Sequence, residues 1–183
     1  VVGVVAAVNH GKWVDSVLMT ISVFGISAPA FWIAIILQIV ICLKFNLLPL
    51  SGIDSFKSFI LPGIALGTRY AASIARITRT SMLDVLSQDY IRTAEAKGLK
   101  GWVVTIKHAL RNALIPIITI AGSDLGNILT GSVLVESVFS IPGIGKMLVD
   151  SINTRDLPIV QGGVMYIAVI CVIMYLVVDL LYT

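Results

Sequence analysis

The side chains that could do chemistry in this chain are few and dispersed. His10 and His108 fall in separate polar segments, and no Ser/His/Asp set or His/Cys/Glu cluster surrounds either one. Each is expected to be an interfacial polar residue. Cys42 and Cys171 lie inside apolar runs, where small buried thiols are common, so neither a disulfide nor a metal site is expected. Gly143-Ile-Gly-Lys-Met147 approaches a phosphate-binding loop, but the upstream glycine position holds Ser140 and Met147 stands where a Ser or Thr would meet magnesium. The chain is therefore expected to be no enzyme and to hold no catalytic group, metal or cofactor of its own. What remains is charge in apolar surroundings. Arg69 lies about ten residues into one apolar run and Asp124 about eleven into another, and such groups usually face a cavity or a partner. They are expected to approach one another or to face a polar pathway together, with Gln38 and Asn127 as weaker lining residues.

A second constellation is Asp89-Tyr-Ile-Arg-Thr-Ala-Glu-Ala-Lys-Gly98, a polar segment between apolar runs. Ser87 is a suitable N-cap and Asp89 suits the positive end of a helix dipole. Lys97 falls in the last turn and Gly98 can take the left-handed position that ends a helix. The spacing predicts a short helix over Gln88–Lys97, with Tyr90, Ile91, Ala94 and Leu99 along one stripe. Small Ala94 and Ala96 would admit a close partner. Residues alone leave two readings open: a helix lying on lipid headgroups, or one docked in a groove of another protein. A second amphipathic piece, Gly101–Asn112, follows with Trp102 near an interface.

The elements that must position these groups are set by composition. Of the 183 residues, 57% are hydrophobic and only 13% charged, and the mean hydropathy is +0.99. That balance belongs to a bilayer-embedded chain. In hydrocarbon each backbone donor must be satisfied within its own segment, so helices are expected. Five membrane segments are predicted: one ending near Val8, then about Val17–Leu43 (broken by Gly25 and Pro29), Phe59–Ile77, Ala113–Val135 and Ile159–Leu181. Arg76, Arg79, Arg92, Lys97, Lys100, Lys107 and Arg111 crowd the central connection, whereas 44–58 and 136–158 carry two basic residues each. The positive-inside rule places the central loop, about 78–112, in the cytoplasm. Gly63-x-x-x-Gly67 and Gly122-x-x-x-Gly126 offer small faces, expected to pack within the subunit. Glu136, at a span end, needs no function. The outer segment Ser137–Pro158 predicts a short amphipathic helix after Gly143. The chain opens at Val1 without Met or a charged leader and reads as one transmembrane domain over 1–183, truncated at its N-terminus.

The segment 89–98, together with His108-Ala-Leu-Arg-Asn-Ala-Leu-Ile-Pro116, resembles the EAA-type coupling loop of ABC-transporter permeases. The version is that of the oligopeptide/dipeptide/nickel importers. Ser27-Ala-Pro-Ala-Phe31, Leu48-Pro-Leu-Ser-Gly52, Ile74–Leu83, Val135-Glu-Ser-Val-Phe139, Pro142-Gly-Ile-Gly145 and Arg155–Gly162 are similar to segments of the same family, so the resemblance covers nearly the whole chain. The Leu-Pro-x-x-Gly pattern looks like the first of the two paired permeases. Two departures stand out. Arg92-Thr93-Ala94 occupies the place of the general Glu-Ala-Ala, and Pro116 lies downstream of the usual Leu-Pro. Both look like the peptide-importer branch, and Glu95 is not the motif's glutamate.

The resemblance implies an all-α polytopic helical bundle of the type I importer permease kind. It also implies a bacterial or archaeal cytoplasmic-membrane location. Partners would be two ABC ATPase subunits that bind ATP and Mg, a second homologous permease and an extracellular solute-binding protein, with no nucleic acid. Tyr90, Ile91, Arg92, Thr93, Ala94, Glu95, Ala96, Lys97 and Gly98 would then form the ATPase-coupling segment. The cargo would be di- or oligopeptides. A nickel or other small-solute importer of the same family is one alternative, and an ion-coupled secondary transporter is another.

Overall fold

The architecture was obtained as a computed structural model that describes residues 1–129 and 132–180. Among the described residues all regular structure is helical, as backbone satisfaction in an apolar chain requires. In order these are α1 (Val2–Val8), α2 (Trp13–Ser27), α3 (Ala30–Leu37), α4 (Ile60–Leu86), α5 (Asp89–Ala96), α6 (Gly101–Val103), α7 (Arg111–Leu129), α8 (Val133–Val138), α9 (Ile144–Asn153) and α10 (Leu157–Leu180). Wider π-helical turns extend α3 through Gln38–Lys44 and join α6 to α7 through Val104–Leu110.

The predicted spans hold as helices but not at their predicted limits. Among the described residues, Gly101–Ile128 and Leu157–Val178 are each long and apolar enough to cross a membrane, and α2 with the α3 stretch makes a third only as a broken pair. The break falls at Ala28-Pro29, because proline disfavours helix in the residue before it. The third segment continues to Leu86, beyond Ile77, and carries Arg69 and Arg76, so it is less apolar than the others. The fourth begins at Gly101: the amphipathic piece is continuous with it, and Pro116 sits inside α7 without ending it. Thr130 and Gly131, within the predicted fourth segment, lie outside the described residues.

The chain divides into two compact units. The first comprises Val1–Ile26 and Tyr70–Ala121. Its core is Ala7, Met82, Ile91, Ala94, Val104, Ala109 and Ala113, with Val4, Leu83 and Leu86 around it. Four alanines let the backbones approach, and Met82 and Ile91 fill the space between them. Full burial of side chains that size contributes about 1.5–3 kcal/mol each where the alternative is water.

The second unit comprises Ser27–Arg69 and Gly122–Leu181. Ala34, Cys42, Leu61, Ala65, Val135 and Phe139 form its core. The Gly52 amide donates to the Phe139 carbonyl at 3.0 Å, tying the 44–58 connection to the end of α8. A Cβ at Gly122 would collide with Val178, so α7 and α10 pack closely there. The other small-residue face differs: a Cβ at Gly63 or Gly67 would meet nothing within 4 Å. Among the described residues, the Gly122 ridge packs within the chain as expected and the Gly63 face does not.

Candidate coupling and pathway residues

Helix α5 begins after Gln88, which has extended backbone and makes no side-chain cap bond. Ser87, the expected cap, instead donates its hydroxyl to the Asp84 carbonyl at 2.7 Å and so finishes α4. The C-terminal end is closed as the sequence suggests. Gly98 has φ +78°, its amide donates to Glu95 O at 2.9 Å, and the Leu99 amide donates to Ala94 O at 3.4 Å. These two bonds satisfy carbonyls that would otherwise be orphaned at the helix end, and the left-handed turn is open to glycine without steric cost.

The apolar stripe divides: Ile91 and Ala94 face the chain's own interior, while Tyr90 and Leu99 are exposed. Ile91 and Ala94 are 1% and 7% exposed and pack in the first unit's core with Met82, Ala7 and Val104. This corrects the expectation that Ala94 is a contact surface for a partner. Hydrophobic spacing identifies a stripe but not what covers it. The face left outside is Tyr90, Arg92, Thr93, Glu95, Ala96, Lys97 and Gly98, all exposed. The Tyr90 hydroxyl accepts from Asn112 Nδ2 at 2.9 Å, and Asn112 also donates to His108 O at 3.0 Å, which fixes α5 against the start of α7. Beside α5 opens a cleft of about 680 Å³ lined by Val8, Leu86, Glu95, Trp102 and Ile106.

The expected pathway residues are all in the second unit, but they do not form one constellation. Arg69 is exposed, and among the described residues it makes no ion pair with Asp124. Among the described residues Asp124 Oδ2 is buried without a hydrogen-bond partner. The two are near enough for the Arg69 charge to act on the Asp124 carboxyl without a direct ion pair. Gln38 is already engaged: its Nε2 donates to Leu50 O at 2.8 Å and to Val138 O at 3.0 Å, so it ties the 44–58 connection to the end of α8. Asn127 is exposed on α7. Among the described residues no three His, Cys, Asp or Glu side chains gather as a metal would require.

Two polar arrangements escaped the sequence reading. In the first unit, Arg79 and Asp15 form a two-pronged ion pair with Nε–Oδ1 at 2.6 Å and Nη2–Oδ2 at 2.7 Å, beside His10. In the second, the half-buried Glu136 carboxylate accepts from the Lys146 amide at 2.8 Å and caps the N-terminal turn of α9. A Cβ at Gly143 would fall on that carboxylate, which explains the glycine. Glu136 thus does have a structural task. Its signal was a carboxylate a few residues before a Pro-Gly-x-Gly helix start.

Comparison with known proteins bears on the whole of this arrangement. Residues 1–183 match the family of binding-protein-dependent transport system inner membrane components. The chain is 46% identical over 180 residues to the glutathione transport system permease protein GsiC of Escherichia coli (strain K12), covering 98% of this chain and 59% of that protein. It is 45% identical over 181 residues to the protein of the same name from Salmonella choleraesuis (strain SC-B67), with 99% and 59% covered. The chain therefore spans about three-fifths of the length of these relatives. With the match running its full length and with relatives named as transport permeases, the chain belongs to the family of binding-protein-dependent transport system inner membrane components, the ABC-importer permeases that its peptide-importer motifs resemble.

Proposed function

We propose that the chain is the membrane-spanning core of a permease subunit in a binding-protein-dependent ABC importer that passes peptides across the cytoplasmic membrane. The observation that carries this reading is the full-length family match to permeases named for glutathione, itself a small peptide. An extracellular solute-binding protein delivers the cargo. A second homologous permease completes the pathway, and two ATPase subunits bind ATP and Mg.

The central loop 78–112 lies in the cytoplasm, where its basic residues are stable. The exposed face of α5, with Tyr90, Thr93, Ala96 and the adjoining cleft, is the surface that meets an ATPase subunit. Ile91 and Ala94 act from behind it, fixing α5 to α4. Coupling requires that nucleotide and cargo each prefer different access states, so binding at one site shifts the population seen by the other. Asp124 contributes polarity to the pathway.

The test is single-cysteine crosslinking in native membranes holding the full-length protein and its partners. A cysteine at Ala96 should crosslink to an ATPase subunit in an ATP-dependent manner, and one at Ala94 should react far less. ATP-driven uptake of glutathione, dipeptides and tripeptides by the reconstituted complex then identifies the cargo. Uptake driven by an ion gradient, with no ATPase attached, would overturn the proposal in favour of a secondary transporter.

A further inference from the structure

The Asp15–Arg79 pair belongs neither to the exposed face of α5 nor to the candidate pathway, yet it is the most fully bonded charge cluster in the first unit. Asp15 is 6% exposed at its side chain and Arg79 22%. Both carboxylate oxygens accept from the guanidinium, and Oδ2 also accepts from the Gly11 amide at 3.2 Å. His10 Nδ1 stands 3.2 Å from Asp15 Oδ2 and 3.0 Å from Arg79 Nη2. The turn between α1 and α2 is therefore folded around one side chain of α4.

Stability alone is a poor reason for such a pair, because well-packed apolar residues often serve equally well in a buried place. A planar fork on a carboxylate does supply direction and register that apolar contact does not. The location on α4 gives that register a use. Arg79 lies three residues before Met82, about one helical turn, and Met82 is the side chain of α4 that packs in one core with Ile91 and Ala94 of α5. Immediately upstream, α1 is pressed against the same stretch: a Cβ at Gly3 would collide with the Ala75 carbonyl. From α5 the shared core reaches Met82, and one turn back along the same helix Arg79 holds Asp15 in the first turn of α2.

We infer that Asp15 and Arg79 are positioning residues for energy coupling, the link through which displacement of α5 is delivered to α2. The inference rests on the reading of α5 as the ATPase-facing element. When α5 shifts, the core carries α4 with it, and the two-pronged pair makes the start of α2 follow rather than slip.

The test uses the complete transporter in liposomes, with ATP hydrolysis and uptake measured on the same vesicles. The cargo is whichever of glutathione, dipeptides and tripeptides the wild-type vesicles accumulate. Arg79→Ala and Asp15→Asn should assemble with the ATPase subunits and hydrolyse ATP within about twofold of wild type, while transport per ATP falls about tenfold. Arg79→Lys, which keeps the charge but loses the fork, should fall in between. Unchanged transport per ATP in assembled variants would overturn the inference, and so would a parallel fall of both activities. Should Arg79→Ala fail to assemble, the ratios for Arg79→Lys and Asp15→Glu decide by the same criterion. If the wild-type complex itself holds no ATPase, the permease reading falls. If the wild type couples and the variants couple equally well, only the Asp15–Arg79 assignment falls.

Discussion

Gly98 and Gly101 stand three residues apart in the connection after α5, and a Cβ at either would meet nothing within 4 Å. Only Gly98 has a left-handed backbone, with φ +78°. Replacing each by alanine therefore separates conformation from packing. At Gly98 the added Cβ costs roughly 1–2 kcal/mol in the left-handed region, and no clash contributes. At Gly101, the first residue of α6, alanine should favour helix by roughly 0.5–1 kcal/mol. The cost at Gly98 falls on the closing turn of α5, where the Gly98 and Leu99 amides bond back to Glu95 and Ala94. Opening of that turn should rise about 5- to 30-fold in Gly98→Ala and should fall slightly in Gly101→Ala. Amide hydrogen exchange on the purified full-length transporter, read by mass spectrometry over peptides spanning 89–103, measures both. Equal shifts for the two variants, or protection of α5 by Gly98→Ala, would refute the argument.

Other expectations follow from the same contacts. Ile91→Ala should lower the melting temperature of the purified complex, at a cost of about 2–5 kcal/mol, whereas Thr93→Ala on the exposed face should stay within about 0.5 kcal/mol. Glu136→Ala removes the acceptor of the Lys146 amide and should loosen α9 by about 0.5–2 kcal/mol, seen as faster exchange confined to 144–153. Gly143→Ala, whose Cβ would meet the same carboxylate, should loosen α9 as well, and Glu136→Ala in the same chain should partly relieve it. Gly122→Ala should lower the melting temperature through its collision with Val178, while Gly63→Ala should leave the isolated subunit unchanged.

Sequence reading succeeded where a local rule governs the outcome. A glycine after a lysine at the end of a polar helical stretch announces a left-handed stop, and Gly98 is one. A proline at 29 announces a break, and α2 and α3 part there. It failed where the outcome depends on distant segments. Nothing near Ile91 or Ala94 says that Ala7 and Met82 cover them. Depth in an apolar run placed Arg69 and Asp124 at one level, and the Arg69 charge does act on the Asp124 carboxyl, but whether the two close into an ion pair is set by packing that hydropathy does not encode. Gln38 was read as a pathway residue because it is polar among apolar neighbours. Its amide instead serves the carbonyls of Leu50 and Val138, the second of them 100 residues away. Ser87 shows the same weakness on a small scale: its type suited the cap of α5, but its hydroxyl turned back to Asp84.

The separation of 64 residues between Asp15 and Arg79 also bears on how the chain is made. Synthesis at 5–20 residues per second leaves ~3–13 s between the appearance of the carboxylate and that of its guanidinium partner. During that interval Asp15 has only the neighbouring Gly11 amide and His10 for company. An ionised carboxylate so sparsely satisfied is costly to carry into lipid. The nascent start of α2 must therefore wait at the aqueous boundary until α4 emerges. Arrival of Arg79 then acts as a latch on insertion order, and a chain that loses the arginine should still insert and assemble, but with the start of α2 settling later.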